Sequence, residues 1–191
     1  MFYKLNFYQK IITICLLYAI VFSMSFYLFK FSIQAITTWE IILFNFLQVW
    51  DLMLVGFLFF QTFKYVRMPS NFYLQRKYET KKYFKYMGVN IFRLLLINSF
   101  FRHLNNRVYL KGRAKDYLLT FIEETKQSET SHIISGIFPL SIQLLYLKNG
   151  LIEHFIWLSI FNIILNLYPL LLQRMNRFNM FAKYPNLTEK N

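Results

Sequence analysis

The sequence predicts an all-α integral membrane protein with about four transmembrane helices plus interfacial or cytosolic helices. Three observations carry that prediction. Of 191 residues, 56% are hydrophobic and 21% aromatic, with only five Gly and four Pro, which is too apolar for an ordinary soluble domain. Four apolar runs, 11–29, 41–63, 133–147 and 151–172, are separated by polar connectors. The cationic residues are concentrated in alternate connectors, as they are in multi-pass membrane proteins.

The first run, from Ile11 to Phe29, is nineteen residues without a charge. At about 1.5 Å per residue that spans a hydrocarbon core of ~30 Å. Lys4 and Lys10 precede it as in a signal peptide, but it ends in Tyr27-Leu28-Phe29-Lys30 with no small-x-small cleavage site, so it is expected to be retained as an anchor. The second run, from Ile41 to Phe63, is interrupted by Asn45, Gln48, Asp51 and Gln61. The first three fall at spacing three, on one side of a helix, a pattern that fits inter-helix packing and a substrate passage equally well.

Met68-Pro69-Ser70 reads as a turn that ends the second helix. Basic and aromatic residues then alternate from Tyr73 to Tyr86. The apolar stretch Ile91 to Phe101, broken by Arg93 and Asn98, is too short to span and is expected to form an amphipathic helix on the cytosolic leaflet. From Asp116 to His132 the pattern is helical again, with Tyr117, Leu118, Phe121 and Ile122 on one face, and the helix can run on into the third span. Lys148-Asn149-Gly150 separates the third and fourth runs and predicts an antiparallel helical hairpin; Pro139 is expected to kink its first arm.

Fourteen Lys or Arg against five acids lie in the section 64–132, four more cations follow Leu172, and two precede Ile11. With both termini in the cytoplasm, twenty of the twenty-two cationic side chains lie on the cytosolic side of the cell membrane. The net charge of +13 is therefore assigned to topology and anionic lipid head groups, not to nucleic acid, for which no motif is present. Cys15 is the lone cysteine, which excludes an internal disulfide and a cysteine-based zinc site. The whole chain reads as one membrane domain, 1–191, with a basic cytosolic section at 64–132.

Chemistry is concentrated in two blocks that bracket the hairpin. The first is Glu124-Thr125-Lys126-x-x-Glu129-x-x-His132; the second is Asn166-x-x-Pro169-x-x-x-Gln173-Arg174-x-Asn176-Arg177. On a helix Ser128, His132, Ser135 and Pro139 share a face, and Glu129 stands one turn before His132. That is the arrangement of a general base and the group that orients it, although an interfacial ion pair that only orients a helix is the plainer reading of the pair taken alone. Asn162, Asn166, Pro169 and Gln173 repeat the rhythm on the fourth run, where inter-helix hydrogen bonding is the plainer reading. Glu-x-x-His is half of a di-metal carboxylate pattern, but the second half is missing, so no metal and no cofactor are expected. A pocket of His132, Glu129, Asn166, Gln173 and Arg174, with Arg177 at its mouth, is the expected site.

At these residues the sequence resembles the glycosyl-4,4'-diaponeurosporenoate acyltransferase family, membrane proteins of staphyloxanthin-type carotenoid synthesis. The matching positions are Glu124, Thr125, Lys126, Glu129 and His132, then Asn166, Pro169, Gln173, Arg174, Asn176 and Arg177, with a weaker similarity at 76–79, Tyr83 and Ile91. Ile133, Met175 and Asn179 depart from the family's Trp, Tyr and Arg. The resemblance implies a membrane acyltransferase that moves a fatty acyl group from an acyl donor onto a sugar hydroxyl of a glycosylated carotenoid or related glycolipid. His132 and Glu129 would be the catalytic pair, and Glu124, Lys126, Asn166, Gln173, Arg174, Asn176 and Arg177 would bind substrate. The competing readings are an acyltransferase for another lipid, and a non-enzymatic membrane protein that anchors lipid or assembles partners.

Overall fold

The computed structural model describes residues 7–62, 68–99 and 115–185. All regular structure among them is helical: α1 (Phe7–Gln34), α2 (Thr38–Thr62), α3 (Ser70–Tyr73), α4 (Lys81–Tyr86), α5 (Val89–Asn98), α6 (Lys115–Lys148), α7 (Ile152–Asn162), a π-turn (Ile163–Leu167) and α8 (Tyr168–Lys183). Four segments, Ile11–Gln34, Thr38–Phe60, Leu118–Lys148 and Ile152–Lys183, are long and apolar enough to cross a membrane. The chain divides into two compact units, one within Met1–Val66 and Ser131–Leu167, the other within Arg67–Thr130 and Tyr168–Asn191.

In the first unit α1 and α2 are joined by a three-residue turn closed by a capping box. The Thr37 hydroxyl accepts from the Glu40 amide at 3.3 Å, and the Glu40 carboxylate accepts from the Thr37 and Ile36 amides at 3.0 and 3.1 Å. The two helices are tied along their length by side-chain oxygens. Tyr18 donates to Thr62 at 3.3 Å and Ser25 donates to Asp51. Further along, the Tyr146 hydroxyl of α6 bridges Ser32 at 2.9 Å and Gln48 at 2.8 Å. The polar stripe of α2 is thus turned inward: Asn45, Gln48 and Asp51 are all buried. In lipid, where apolar surface gives no drive to associate, such hydrogen bonds fix which helices pair.

The hairpin expected at Asn149-Gly150 is present. Gly150 takes φ +72, Leu151 N–H donates to the Tyr146 carbonyl at 2.9 Å and Gly150 N–H to the Leu147 carbonyl at 3.1 Å, a Schellman end to α6. The returning arm packs antiparallel: Tyr146 lies 5.2 Å from the His154 ring near the turn, and Asn162 donates to the Gly136 carbonyl at 3.2 Å farther from it. Val49, Tyr146 and Leu158 form the buried core of this unit. His154, which the sequence places away from the two chemical blocks, is hydrogen-bonded to the Ser32 carbonyl at 2.7 Å.

In the second unit α4, α5 and α8 share a core of Phe84, Val89, Leu171, Leu172 and Met175. A second cluster joins Leu118, Phe121 and Ile122 of α6 to Met180 of α8, using the apolar face that the spacing of 118–122 predicts. Tyr117 side-chain packing and the residues from 100 to 114, including the end of the expected amphipathic run, lie outside the described residues. The 116–132 helix does continue unbroken into the third apolar run, as one helix of 34 residues with Pro139 inside it.

One close approach makes a prediction. A β-carbon on Gly56 of α2 would stand 2.5 Å from both Cα and Oγ of Ser135 on α6, so backbone must move to admit it. Gly56→Ala should lower stability by about 1–3 kcal/mol, read as an earlier midpoint in thermal unfolding of the detergent-solubilised protein. An unchanged midpoint would mean that α2 and α6 do not meet backbone to backbone there.

Candidate functional site

Two arginines of the second chemical block, Arg174 and Arg177, assemble around Glu129 of the first. Glu129, on α6, is fully buried, and its two oxygens are shared between α8 arginines: Oε1 accepts from Arg174 Nη1 at 2.7 Å and Oε2 accepts from Arg177 Nη2. Arg174 is used on nearly every side. Its Nε donates to the buried Glu79, Nη1 also reaches the Phe72 carbonyl at 3.1 Å, and Nη2 reaches the Leu74 carbonyl at 3.2 Å. Glu79 in turn accepts from the Arg76 amide at 2.9 Å. Two guanidinium groups and two carboxylates therefore cancel in charge, and the segment 72–79 is strapped to α6 and α8. Such a cluster is sustained by its completeness, because a buried charge left unpaired is costly.

Aromatic rings close the cluster. Arg174 lies over the Phe72 ring at 5.6 Å, and Arg177 over the Tyr73 ring at 5.7 Å. The Tyr73 hydroxyl hydrogen-bonds Thr130 at 2.5 Å and accepts from the Met68 amide at 3.2 Å. Burial, aided by the neighbouring Tyr78 phenol and Glu79 carboxylate, raises the Tyr83 phenol above its ordinary range. The arginines differ in what they have left to offer: Arg177 is buried, yet its Nη1 has no hydrogen-bond partner among the described residues.

The remaining predicted residues separate by environment. Lys126 pairs with the half-exposed Glu123 at 3.0 Å and lies 5.8 Å from the Tyr73 ring centroid. Glu124, Gln173 and Asn176 are partly buried. Neither Gln173 nor Asn176 makes a side-chain hydrogen bond to a described residue.

In the other unit, His132 is half-buried on α6 and interacts with the Asn166 side chain. Asn166 donates through Nδ2 to Asn162 at 2.8 Å, while its buried Oδ1 lacks a hydrogen-bond partner of normal geometry. Asn166 lies in the π-turn. Pro169 has no N–H to give to the carbonyl four residues back, and the wider π-turn immediately before it re-routes the backbone hydrogen bonds. The turn also advances the helix by an extra residue per turn locally, so the α-helical rhythm read through Asn162, Asn166, Pro169 and Gln173 does not describe a single straight stripe. Among the described residues, no cluster of three His, Cys, Asp or Glu side chains is placed to hold a metal ion.

Glu79, Phe72 and Tyr73 are members of the arginine cluster that spacing alone did not single out as site residues. The available signal was Glu79 itself, the sole acid between Asp51 and Asp116.

Four apolar helices and a buried, aromatic-walled Arg–Glu cluster define a multi-pass helical membrane protein with polar chemistry gathered on α6 and α8. The family model for glycosyl-4,4'-diaponeurosporenoate acyltransferase matches residues 69–182, and the chain belongs to that family. It is thus a member of an acyltransferase family of carotenoid biosynthesis. The match begins after α2 and takes in both chemical blocks. No curated protein and no solved structure matches the chain.

The cluster predicts unequal costs for its acids. Glu129→Ala should destabilise by about 3–5 kcal/mol, because it strands the buried Arg177 and leaves Arg174 with Glu79 alone. Glu123→Ala, which removes only a half-exposed i,i+3 partner, should cost about 0.5 kcal/mol or less. Denaturant titration of both variants checks the contrast; equal effects would show that Glu129 is not the centre of the cluster.

Proposed function

We propose that this protein transfers a fatty acyl group from an activated donor to a sugar hydroxyl of a glycosylated carotenoid, in the cell membrane with both termini cytoplasmic. The family match across both polar blocks carries the reading. The asymmetric distribution of cations supports the orientation, since twenty of twenty-two lie in the segments assigned to the cytosol.

His132 is the general base. Its imidazole takes the proton from the sugar hydroxyl as that oxygen bonds to the acyl carbonyl carbon of a thioester; the C–S bond then breaks and the imidazolium returns the proton to the departing thiolate. Asn166, beside the ring, orients it through a carboxamide that Asn162 holds in place. Glu129 occupies the preceding turn of α6, where it fixes the arginines. The unpaired Nη1 of Arg177 supports a role for that residue in binding the phosphate of an acyl carrier, and Arg174, whose donors are nearly all engaged, positions it. Gln173 and Asn176 supply uncommitted amide donors for the oxyanion or the sugar. Glu124 and Lys126 lie further along the same helix, where Lys126 adds positive charge for the donor.

Mass spectrometry of pigment and lipid extracts tests this in cells that accumulate a glycosylated carotenoid acid. The intact protein should yield a species heavier by one fatty-acyl group, absent without it. His132→Ala should reduce its formation by a factor of about 10²–10⁴ while the protein remains in the membrane fraction. An unchanged pigment would remove the carotenoid acceptor, and full activity in the variant would remove His132 as base. Arg177→Lys keeps the charge but loses the planar guanidinium edge, and should raise KM for the acyl donor more than it lowers kcat.

A further inference from the structure

The helix α5 has two faces with opposite fates. Val89 is buried and Phe92 and Leu96 pack onto the core shared with α8, where Phe92 stacks on Tyr168 with ring centroids 5.2 Å apart. On the other side Ile91, Leu94 and Leu95, at the i, i+3, i+4 spacing of one helical face, are 65%, 59% and 65% exposed. Nothing among the described residues covers them. Ten residues rise only about 15 Å, too little to cross a bilayer.

The chain just before this face is cationic and unneutralised. Arg76, Lys77, Lys81, Lys82 and Lys85 are all exposed, and the one acid between residues 68 and 99, Glu79, is buried on Arg174. Gly88, with φ +73, makes the elbow that joins α4 to α5 and sits 3.5 Å, measured from a notional β-carbon, from the Tyr168 hydroxyl. Tyr86 beside it is 91% exposed, an amphipathic ring of the kind enriched at membrane interfaces. On α5 itself, Arg93 makes no ion pair with a described residue and its buried Nε has no hydrogen-bond partner among them.

We infer that the α4–α5 elbow is a docking surface for anionic phospholipid, with Ile91, Leu94 and Leu95 sunk at the boundary between head groups and acyl chains and the α4 lysines against the phosphates. The pairing of an apolar face with adjacent unneutralised cations is what an interfacial helix requires. Charge also decides against a second copy of the chain as the occupant, because a symmetric contact would bring the same cations together. Because α5 shares its core with α8, the lipid surface fixes the height at which α8 presents Arg174 and Arg177. This inference stands on exposure and charge, and holds whichever acyl acceptor the enzyme uses.

The test uses the full chain with Cys15→Ser and a single nitroxide on Leu95→Cys, in nanodiscs of phosphatidylcholine alone or with phosphatidylglycerol. Leu95 is exposed, so the label should leave folding intact. The expected result is a label shielded from a water-soluble nickel relaxant and open to oxygen when phosphatidylglycerol is present. High salt, or Lys81→Glu with Lys82→Glu and Lys85→Glu, should restore nickel access. A label open to nickel in both nanodiscs overturns the proposal. Shielding that is equal in both lipids and indifferent to the charge reversal overturns the anionic requirement, and dipolar coupling between labels would assign the face to a second copy instead.

Discussion

The buried carboxylate of Glu129 is the constraint on which the second unit depends. Without the two arginines it would be an uncompensated buried charge, and without it Arg177 would be one and Arg174 would keep only Glu79. Because the partners come from α6, α8 and, through Arg174, the segment 72–79, satisfying one electrostatic requirement fixes three stretches of chain distant in sequence. The arrangement also sorts the arginines by role. A guanidinium whose donors go to Glu79, Glu129 and two backbone carbonyls is a strut, whereas Arg177 keeps a buried Nη1 with no hydrogen-bond partner among the described residues.

Much of this was legible in the sequence because it is written in periodicity and chemistry. Apolar run length marked the helices, Asn149-Gly150 marked the hairpin, and the spacing at 118–122 marked the face that α6 turns to α8. The two blocks from Glu124 to His132 and from Asn166 to Arg177 located the candidate residues. What the sequence left unsaid concerns partners: Glu129 one turn before His132 looks like a histidine's orienter, but a helix neighbour competes with any group that tertiary structure delivers, and here two arginines claim both oxygens. Glu79 and Tyr73 were not read as partners of the arginines for the same reason, since their relation to Arg174 and Arg177 spans about a hundred residues and has no local pattern.

The π-turn illustrates a different limit. Its cause is local, a proline that cannot donate at position 169, yet its consequence is a change of helical phase that no constant period can represent. It falls at Asn166, the side chain that faces His132. The irregularity thus coincides with the residue whose carboxamide is hydrogen-bonded to Asn162.

The bond from Tyr146 to Ser32 and Gln48 carries an order of events for biogenesis. The α1–α2 pair can associate as soon as both have entered the bilayer, through Ser25 with Asp51 and Tyr18 with Thr62. Ser32 and Gln48, however, gain their hydrogen bonds to Tyr146 only when that residue arrives, 114 and 98 positions downstream. During synthesis, therefore, more than half the chain must follow Ser32 and Gln48 before they gain this partner.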